Sequence, residues 1–288
     1  MSVNSPKIFN LSVSGFTIVL LTCVCFASGC SNKKENQYKM PENFLYDLNA
    51  PTQRFELPDE LLEVSALSYF TDDKLVCVQD ELGILFTFDL STGKIADKIT
   101  FGPDGDYEGV EVVNDTAYVI KSNGDLMFFP IQNPDSLKQI HTGLEEKNDV
   151  EGLGYDVNTK HLMIACKKKG DVMGNNIKGK AFYKFSLQSK ELTPDPFFVI
   201  DKAKIADYPV EKINPSAIAM HPLTKEIYIL SSKDKALVIV DAREIKNIIL
   251  LDPALFEKPE GICFKPDGSL FISSEGKTGG GYILRFNN

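Results

Sequence analysis

The sequence predicts an all-β fold: a five-bladed β-propeller with four-stranded blades, the last blade closed by an N-terminal strand. Three observations predict it: a phrase that returns five times, a second landmark in step with it, and a final blade short of one strand. The phrase reads Ser65-Ala66-Leu67, Glu108-Gly109-Val110, Glu151-Gly152-Leu153, Ser216-Ala217-Ile218 and Glu260-Gly261-Ile262, with lead residues 43, 43, 65 and 44 positions apart. A period of roughly 40–50 residues carrying short strands is that of propeller blades, and the longer unit holds an insertion. After each phrase an apolar run ends in a polar residue, at Asp80, Ser122, Lys167, Ser232 and Glu275, which lie 15, 14, 16, 16 and 15 positions beyond the leads.

Taken in chain order, residues 1–29 read as a lipoprotein signal peptide. Lys7 gives a positive start, Phe16 to Phe26 an apolar stretch too short to span a bilayer, and Ala27-Ser28-Gly29 a small-residue cleavage site. Cys30 follows, as in a bacterial lipobox, with Ala27 where Leu is more usual. Acylated Cys30 would anchor the chain to a membrane of the bacterial cell envelope, outer or plasma, since two acyl chains suffice for stable anchoring. Residues 30–50 read as the lipidated cysteine and a tether, and residues 51–288 as the propeller.

Gln53-Arg54-Phe55-Glu56-Leu57 alternates in polarity and belongs to no complete blade. The second unit shows the full plan: Val110 to Val113, Ala117 to Lys121, a Ser122-Asn123-Gly124 turn, Leu126 to Ile131, then Gln139 to Gly143. The fifth unit has Gly261 to Lys265, a Pro266-Asp267-Gly268 turn, Leu270 to Ser274 and Gly281 to Phe286, and its fourth strand would fall beyond Asn288. The stretch 53–57 is expected to fill that place, closing the ring and removing two open sheet edges.

Composition bounds the partners. An apolar fraction of 43% with 25% charged residues is that of a folded globular domain, and a net charge of −9 excludes nucleic acid, which needs a basic face. Lys167-Lys168-Lys169, the densest basic run, reads as a solvated loop in the insertion. Cys23 and Cys25 leave with the leader. Cys77, Cys166 and Cys263 sit singly in apolar strands, so they are expected to be buried thiols, not disulfides or metal ligands. A monomer is expected, with an unidentified small-molecule or protein ligand.

The phrases resemble those of the bacterial SdiA-regulated, or YjiK-like, family over a stretch from about Phe44 to the C-terminus. The stretches that carry the resemblance are Leu61-Leu62-Glu63-Val64-Ser65-Ala66-Leu67, Asp106-Tyr107-Glu108-Gly109-Val110, Pro215-Ser216-Ala217-Ile218-Ala219 with His221-Pro222, and Pro259-Glu260-Gly261-Ile262, together with Asp80-Glu81, Lys167 and Ser274-Glu275. The resemblance implies a five-bladed propeller distantly related to NHL-repeat proteins, a calcium site and no established activity. Ala66 stands where the family usually has Gly, which puts the local turn in question.

First strands line a propeller's axis, so the lead residues converge. By strand alternation Glu108, Glu151 and Glu260 share faces with Asp106, Asp149 and Lys258, and Ser65 and Ser216 with Glu63 and Asn214. Carboxylates within ~5 Å repel by roughly 3–4 kcal/mol per pair at an effective dielectric near 20, so they need protons, basic partners or a cation. Hard oxygen ligands without His or Cys select Ca²⁺. The metal-site candidates are thus Glu108, Glu151, Glu260 and Asp149, with Asp80 and Glu275 secondary. The alternative for these glutamates is a purely structural one, capping backbone N–H groups of neighbouring blades.

The stretch Asp104 to Asp115 imitates an EF-hand loop, but it lacks flanking helices and has Glu111 at the usually apolar eighth position. His141, His161 and His221 are scattered, and no nucleophile or phosphate-loop motif is present; His221-Pro222 reads as a turn. Two functions fit: a calcium-binding envelope propeller that binds or scaffolds a partner, or a calcium-dependent lactonase or esterase polarising a carbonyl at the channel metal. Asn214 and Asp149 could complete the ligand set of the second, which has no evident histidine or lysine base.

Overall fold

The computed structural model describes residues 38–172, 174–276 and 279–288; the leader and Cys30 lie outside the described residues. Five four-stranded antiparallel sheets form the blades. The first blade is β2 (Val64–Thr71), β3 (Lys74–Gln79), β4 (Ile84–Asp89) and β5 (Lys94–Thr100), and the second is β6 (Tyr107–Val113), β7 (Thr116–Lys121), β8 (Asp125–Pro130) and β9 (Lys138–His141). The third is β10 (Val150–Asp156), β11 (His161–Cys166), β12 (Lys180–Ser186) and β13 (Phe198–Ile200), and the fourth is β14 (Pro215–Met220), β15 (Ile227–Ser231), β16 (Ala236–Asp241) and β17 (Glu244–Leu250). The fifth is β18 (Pro259–Phe264), β19 (Leu270–Ser274) and β20 (Tyr282–Phe286), completed by β1 (Gln53–Glu56). Strand β1 pairs antiparallel with β20, Gln53 opposite Arg285 and Glu56 opposite Tyr282, so the chain's two ends close the ring as the missing strand required.

The first strands β2, β6, β10, β14 and β18 each touch the next around the ring, and β18 touches β2. They surround the axis. The insertion of the long unit falls in the connection between β11 and β12 and in the stretch before β14. Asn114 and Asp115, at φ 49° and 60°, form the two-residue turn between β6 and β7; such left-handed pairs match the twist of the flanking strands, and Asn and Asp tolerate them. The EF-hand imitation is thereby resolved, because residues 107–113 are a strand and 114–115 its hairpin.

Each gap between neighbouring blades holds one apolar cluster. Val76, Val78 and Phe101 meet Tyr107 and Val119 between blades one and two, and Phe55, Leu57 and Ile283 meet Leu67 and Phe88 between five and one. Full burial of such a side chain stabilises by about 1.5–3 kcal/mol, so the blades are held by their faces and each depends on both neighbours. Cys77, Cys166 and Cys263 are free and buried within these gaps, as expected.

The segment 44–50, counted with the tether on sequence, packs onto the propeller. Tyr46 and Leu48 are buried in the gap between blades four and five, with Met40 and Phe44 against them. The folded unit therefore begins before residue 51. Tyr46 Oη lies 2.7 Å from His221 Nε2 and donates to the Gly268 carbonyl at 2.6 Å. His221 Nδ1 accepts the N–H groups of Leu223 (3.1 Å) and Thr224 (3.0 Å), which leaves Nε2 as the protonated nitrogen and makes His221 the pivot of the turn after β14.

Candidate functional site at the channel mouth

The repeated phrase is a β-bulge. In each first strand the register against the second strand skips the lead residue: Val64 pairs Gln79 and Ala66 pairs Val78, leaving Ser65 unpaired. The same skip leaves out Glu108, Glu151, Ser216 and Glu260. A bulge inserts one unpaired residue and re-aims its side chain. The residue after the lead must be small, because the neighbouring first strand runs close by. A Cβ on Gly152 would come 3.1 Å from Ala217 Cα, and one on Gly261 would come 2.5 Å from Ser273 Oγ and 3.0 Å from the Leu67 nitrogen. Ala66 is accommodated within the cluster between blades one and two, so the departure from Gly leaves the bulge intact.

The two serines and three glutamates use the same bulge differently. Ser65 Oγ donates to the Tyr107 carbonyl at 2.6 Å and Ser216 Oγ to the Pro259 carbonyl at 3.1 Å, each tying its blade to the residue before the next lead. The glutamates turn to other side chains. Glu151, almost fully buried, accepts from Lys167 Nζ at 2.5 Å. Glu260 accepts from Ser232 Oγ at 3.2 Å and lies 3.6 Å from Lys258 Nζ, which also pairs with Glu275. Lys167, Ser232 and Glu275 each follow the last residue of a second strand, and antiparallel pairing brings that position beside the lead of its own or the next blade.

The three acids feel one another. Burial, then the Glu151, Asp106 and Glu260 charges, push the Glu108 carboxyl up to about 9. Burial raises Glu151 to about 7 despite Lys167, and burial raises Glu260 against the pull of Lys258 and Lys167. Burial, with Glu63, Glu275 and Glu81 nearby, lifts Asp80 to about 6, and its Oδ1 is buried with no hydrogen-bond partner. Burial opposes the charge of Lys167, yet Glu151, Glu260 and Asp149 outweigh it and hold its proton more tightly. Lys258 is held likewise by Glu275, Glu260 and Asp80.

The mouth thus joins Glu108, Glu151 and Glu260 with Asp80 and Glu275. Asp149 sits at the edge of this group: its φ of 53° breaks the strand alternation that set it beside Glu151 and its carboxylate pairs with Lys168 at 3.1 Å, while its charge still bears on Glu151 and Lys167. Asp106 lies before the strand and accepts from Ser122 Oγ. Asn214 is engaged with Asp234 at 2.8 Å and Lys180 at 3.1 Å. What sequence reasoning missed is the role of Lys167 and Lys258 as counter-charges; for Lys167, read as part of a solvated loop, the signal was its place in the second landmark, and for Lys258 its place two residues before Glu260.

The donors suit a hard cation in type, being carboxylate oxygens. Among the described residues, however, no three His, Cys, Asp or Glu side chains converge as a metal requires. A divalent ion entering here must displace an ammonium group, and the side chains of Lys167 and Lys258, 36% and 40% exposed, have room to turn outward. A polar cleft of about 470 Å³ opens beside the acids, lined by Gly105, Asp106, Lys121, Asn123, Asp149 and Lys168 among others. None of the three histidines lines it. His141 pairs with Asp125 at 2.9 Å and His161 with the Thr159 carbonyl at 2.6 Å. No helix among the described residues is long and apolar enough to cross a membrane.

Comparison with known proteins places the fold. The chain is similar to a streptogramin B lyase structure, at TM-score 0.51 and 12% identity over 82% of this chain and 97% of that one. It is also similar to Myxococcus xanthus glutaminyl cyclase, at TM-score 0.57 and 13% identity over 83% and 96%. Identities this low speak for a shared fold alone. No curated protein matches the chain. The SdiA-regulated family matches residues 46–278, from the strap that carries Tyr46 to the last blade, and the chain belongs to the SdiA-regulated family.

Proposed function

We propose that this protein is an envelope lipoprotein, anchored through Cys30, whose propeller serves as a binding or scaffolding module with a calcium-responsive acidic mouth. The observation that carries the reading is the set of three glutamates at equivalent bulges, where burial and then the neighbouring Glu151, Asp106 and Glu260 charges push Glu108 up to about 9. Such crowding stores electrostatic free energy that a divalent cation releases. Glu108, Glu151 and Glu260 would hold the ion, with Asp80 and Glu275 beside them and Lys167 and Lys258 turned out. Bound calcium would neutralise the mouth and fix the loops that meet a partner across the adjoining cleft.

A hydrolase reading draws on one feature: Glu151, raised to about 7 and bonded to Lys167, is poised to exchange a proton near neutral pH. A panel of lactones and esters assayed with calcium and with chelator separates the readings. Chelator-sensitive turnover supports the hydrolase; binding without turnover supports the module. The anchor is tested by metabolic fatty-acid labelling, which should tag the wild-type protein and not Cys30→Ala; unlabelled wild type would remove the lipoprotein from the proposal.

A further inference from the structure

The first strands run from the acidic mouth to the opposite end of the channel, where a second cavity of about 260 Å³ opens. Its walls are largely apolar, supplied by Tyr69, Tyr155, Met220 and Phe264. One carboxyl enters it, that of Glu111, three residues beyond the Glu108 bulge on β6. Glu111 is held from three blades. It accepts Ser68 Oγ of blade one at 2.8 Å, the Val112 N–H of its own strand at 3.0 Å, and a backbone N–H at Tyr155 of blade three. Burial outweighs these bonds and raises its carboxyl to about 7. Among the described residues no lysine or arginine forms an ion pair with Glu111. Among the described residues the one cation lining the cavity, Lys225, is exposed at the rim and donates to the Pro222 carbonyl.

A half-buried carboxyl among apolar side chains, oriented by hydrogen bonds but without an ion-pair partner, is the complement of a cation with an apolar body. The acidic mouth shows the contrast, since there Lys167 pairs with Glu151 and Lys258 with Glu260 and Glu275. The aromatic walls add to the match, because ammonium groups are attracted to ring faces. The volume sits just below the range typical of drug-sized ligands, about 300–1,000 Å³, which limits the occupant to a small molecule. We propose that this second mouth is a binding site for a small organic amine, its ammonium group on Glu111 and its apolar body against Tyr69, Tyr155, Met220 and Phe264. The site is independent of calcium and of the anchor, lying at the other end of the channel.

The test is calorimetric titration of the full folded domain with 2-phenylethylamine and with its neutral isostere 2-phenylethanol, at pH 8 and repeated in chelator. The amine should bind at least tenfold more tightly than the alcohol, with and without calcium. Glu111→Gln should erase that preference. Met220→Trp, which fills the cavity and leaves the carboxyl in place, should abolish binding of both probes while the melting temperature stays near wild type. If Glu111→Gln does not fold, Met220→Trp alone decides. Equal affinity for amine and alcohol, no binding of either, or binding that survives Met220→Trp would overturn the proposal and leave Glu111 a structural tie between blades.

Discussion

Blades one and four begin with serine, blades two, three and five with glutamate, and all five lead residues occupy the same bulge. The serines spend their one donor on a neighbouring blade's carbonyl. The glutamates, longer, reach into the mouth and gather lysines and protons. One backbone device therefore serves two ends: where the side chain is short it joins blades, and where it is long and acidic it builds a charged site at a cost in stability. The difference teaches that the repeat records geometry, and the residue placed on it records use.

The comparison breaks most visibly at the residue after the lead. Gly261→Leu should cost several kcal/mol and can prevent folding, since even a Cβ there meets Ser273 Oγ at 2.5 Å and overpacking alone costs about 1–3 kcal/mol. Ala66→Gly at the equivalent serine-led position should cost only about 1 kcal/mol through chain entropy and a lost methyl. Denaturant melts of the two check the asymmetry. Similar losses would show that the close approach is not specific to the glutamate-led blades.

Next in size are the lead residues themselves. Ser65→Ala leaves the buried Tyr107 carbonyl short of a donor and should lower stability by about 1–3 kcal/mol, independent of pH. Glu108→Gln should do the opposite in the metal-free protein. The folded carboxyl has a pKa of about 9, above its unfolded value. The folded state therefore binds more protons, and this contribution to stability is full below the unfolded pKa and lost as pH rises through 9. Melts from pH 5 to 9 should show the wild type losing stability relative to Glu108→Gln as pH rises, with the amide variant the more stable at the alkaline end. A constant gap between the two would mean that Glu108 is not crowded.

The propeller itself, its five blades and its closing strand were legible from the 43-residue period and the unfilled place in the last unit. So was the gathering of Glu108, Glu151 and Glu260 at one mouth. The bulge was not, because an extra residue shows only against its partner's register, and neither was the pairing of Asp149 with Lys168, since its left-handed backbone leaves the alternation. Lys167 and Lys258 were visible as residues but not as counter-charges, since their place depends on which strand end meets which lead. Tyr46 and Leu48 were lost to the tether because the short apolar run Phe44 to Leu48 lies outside the repeat and carries no periodic signal, and only the receiving gap between blades four and five explains them.

The smallest effect lies at the rim, in a hairpin the comparison leaves alone. Ala242 and Arg243 hold φ of 47° and 70° between β16 and β17, a left-handed pair that Asn-Gly adopts with less strain. Replacing the pair by Asn-Gly should raise stability by about 1 kcal/mol, read as a higher melting temperature with calcium binding unchanged; a lower one would show that the turn is not strained.

The most direct test of the central claim, that the glutamate-led bulges form a calcium site and the serine-led ones a tie, is calorimetric calcium titration of wild type, Glu151→Gln and Ser65→Ala, with melts in calcium and in chelator. Wild type should bind calcium and gain roughly 2.7 kcal/mol at a hundredfold excess over Kd. Glu151→Gln should bind more weakly yet be at least as stable in chelator, and Ser65→Ala should bind like wild type while melting lower. No calcium heat in wild type, together with a Glu151→Gln variant destabilised in chelator, would contradict the account and leave the glutamates as structural partners of Lys167 and Lys258.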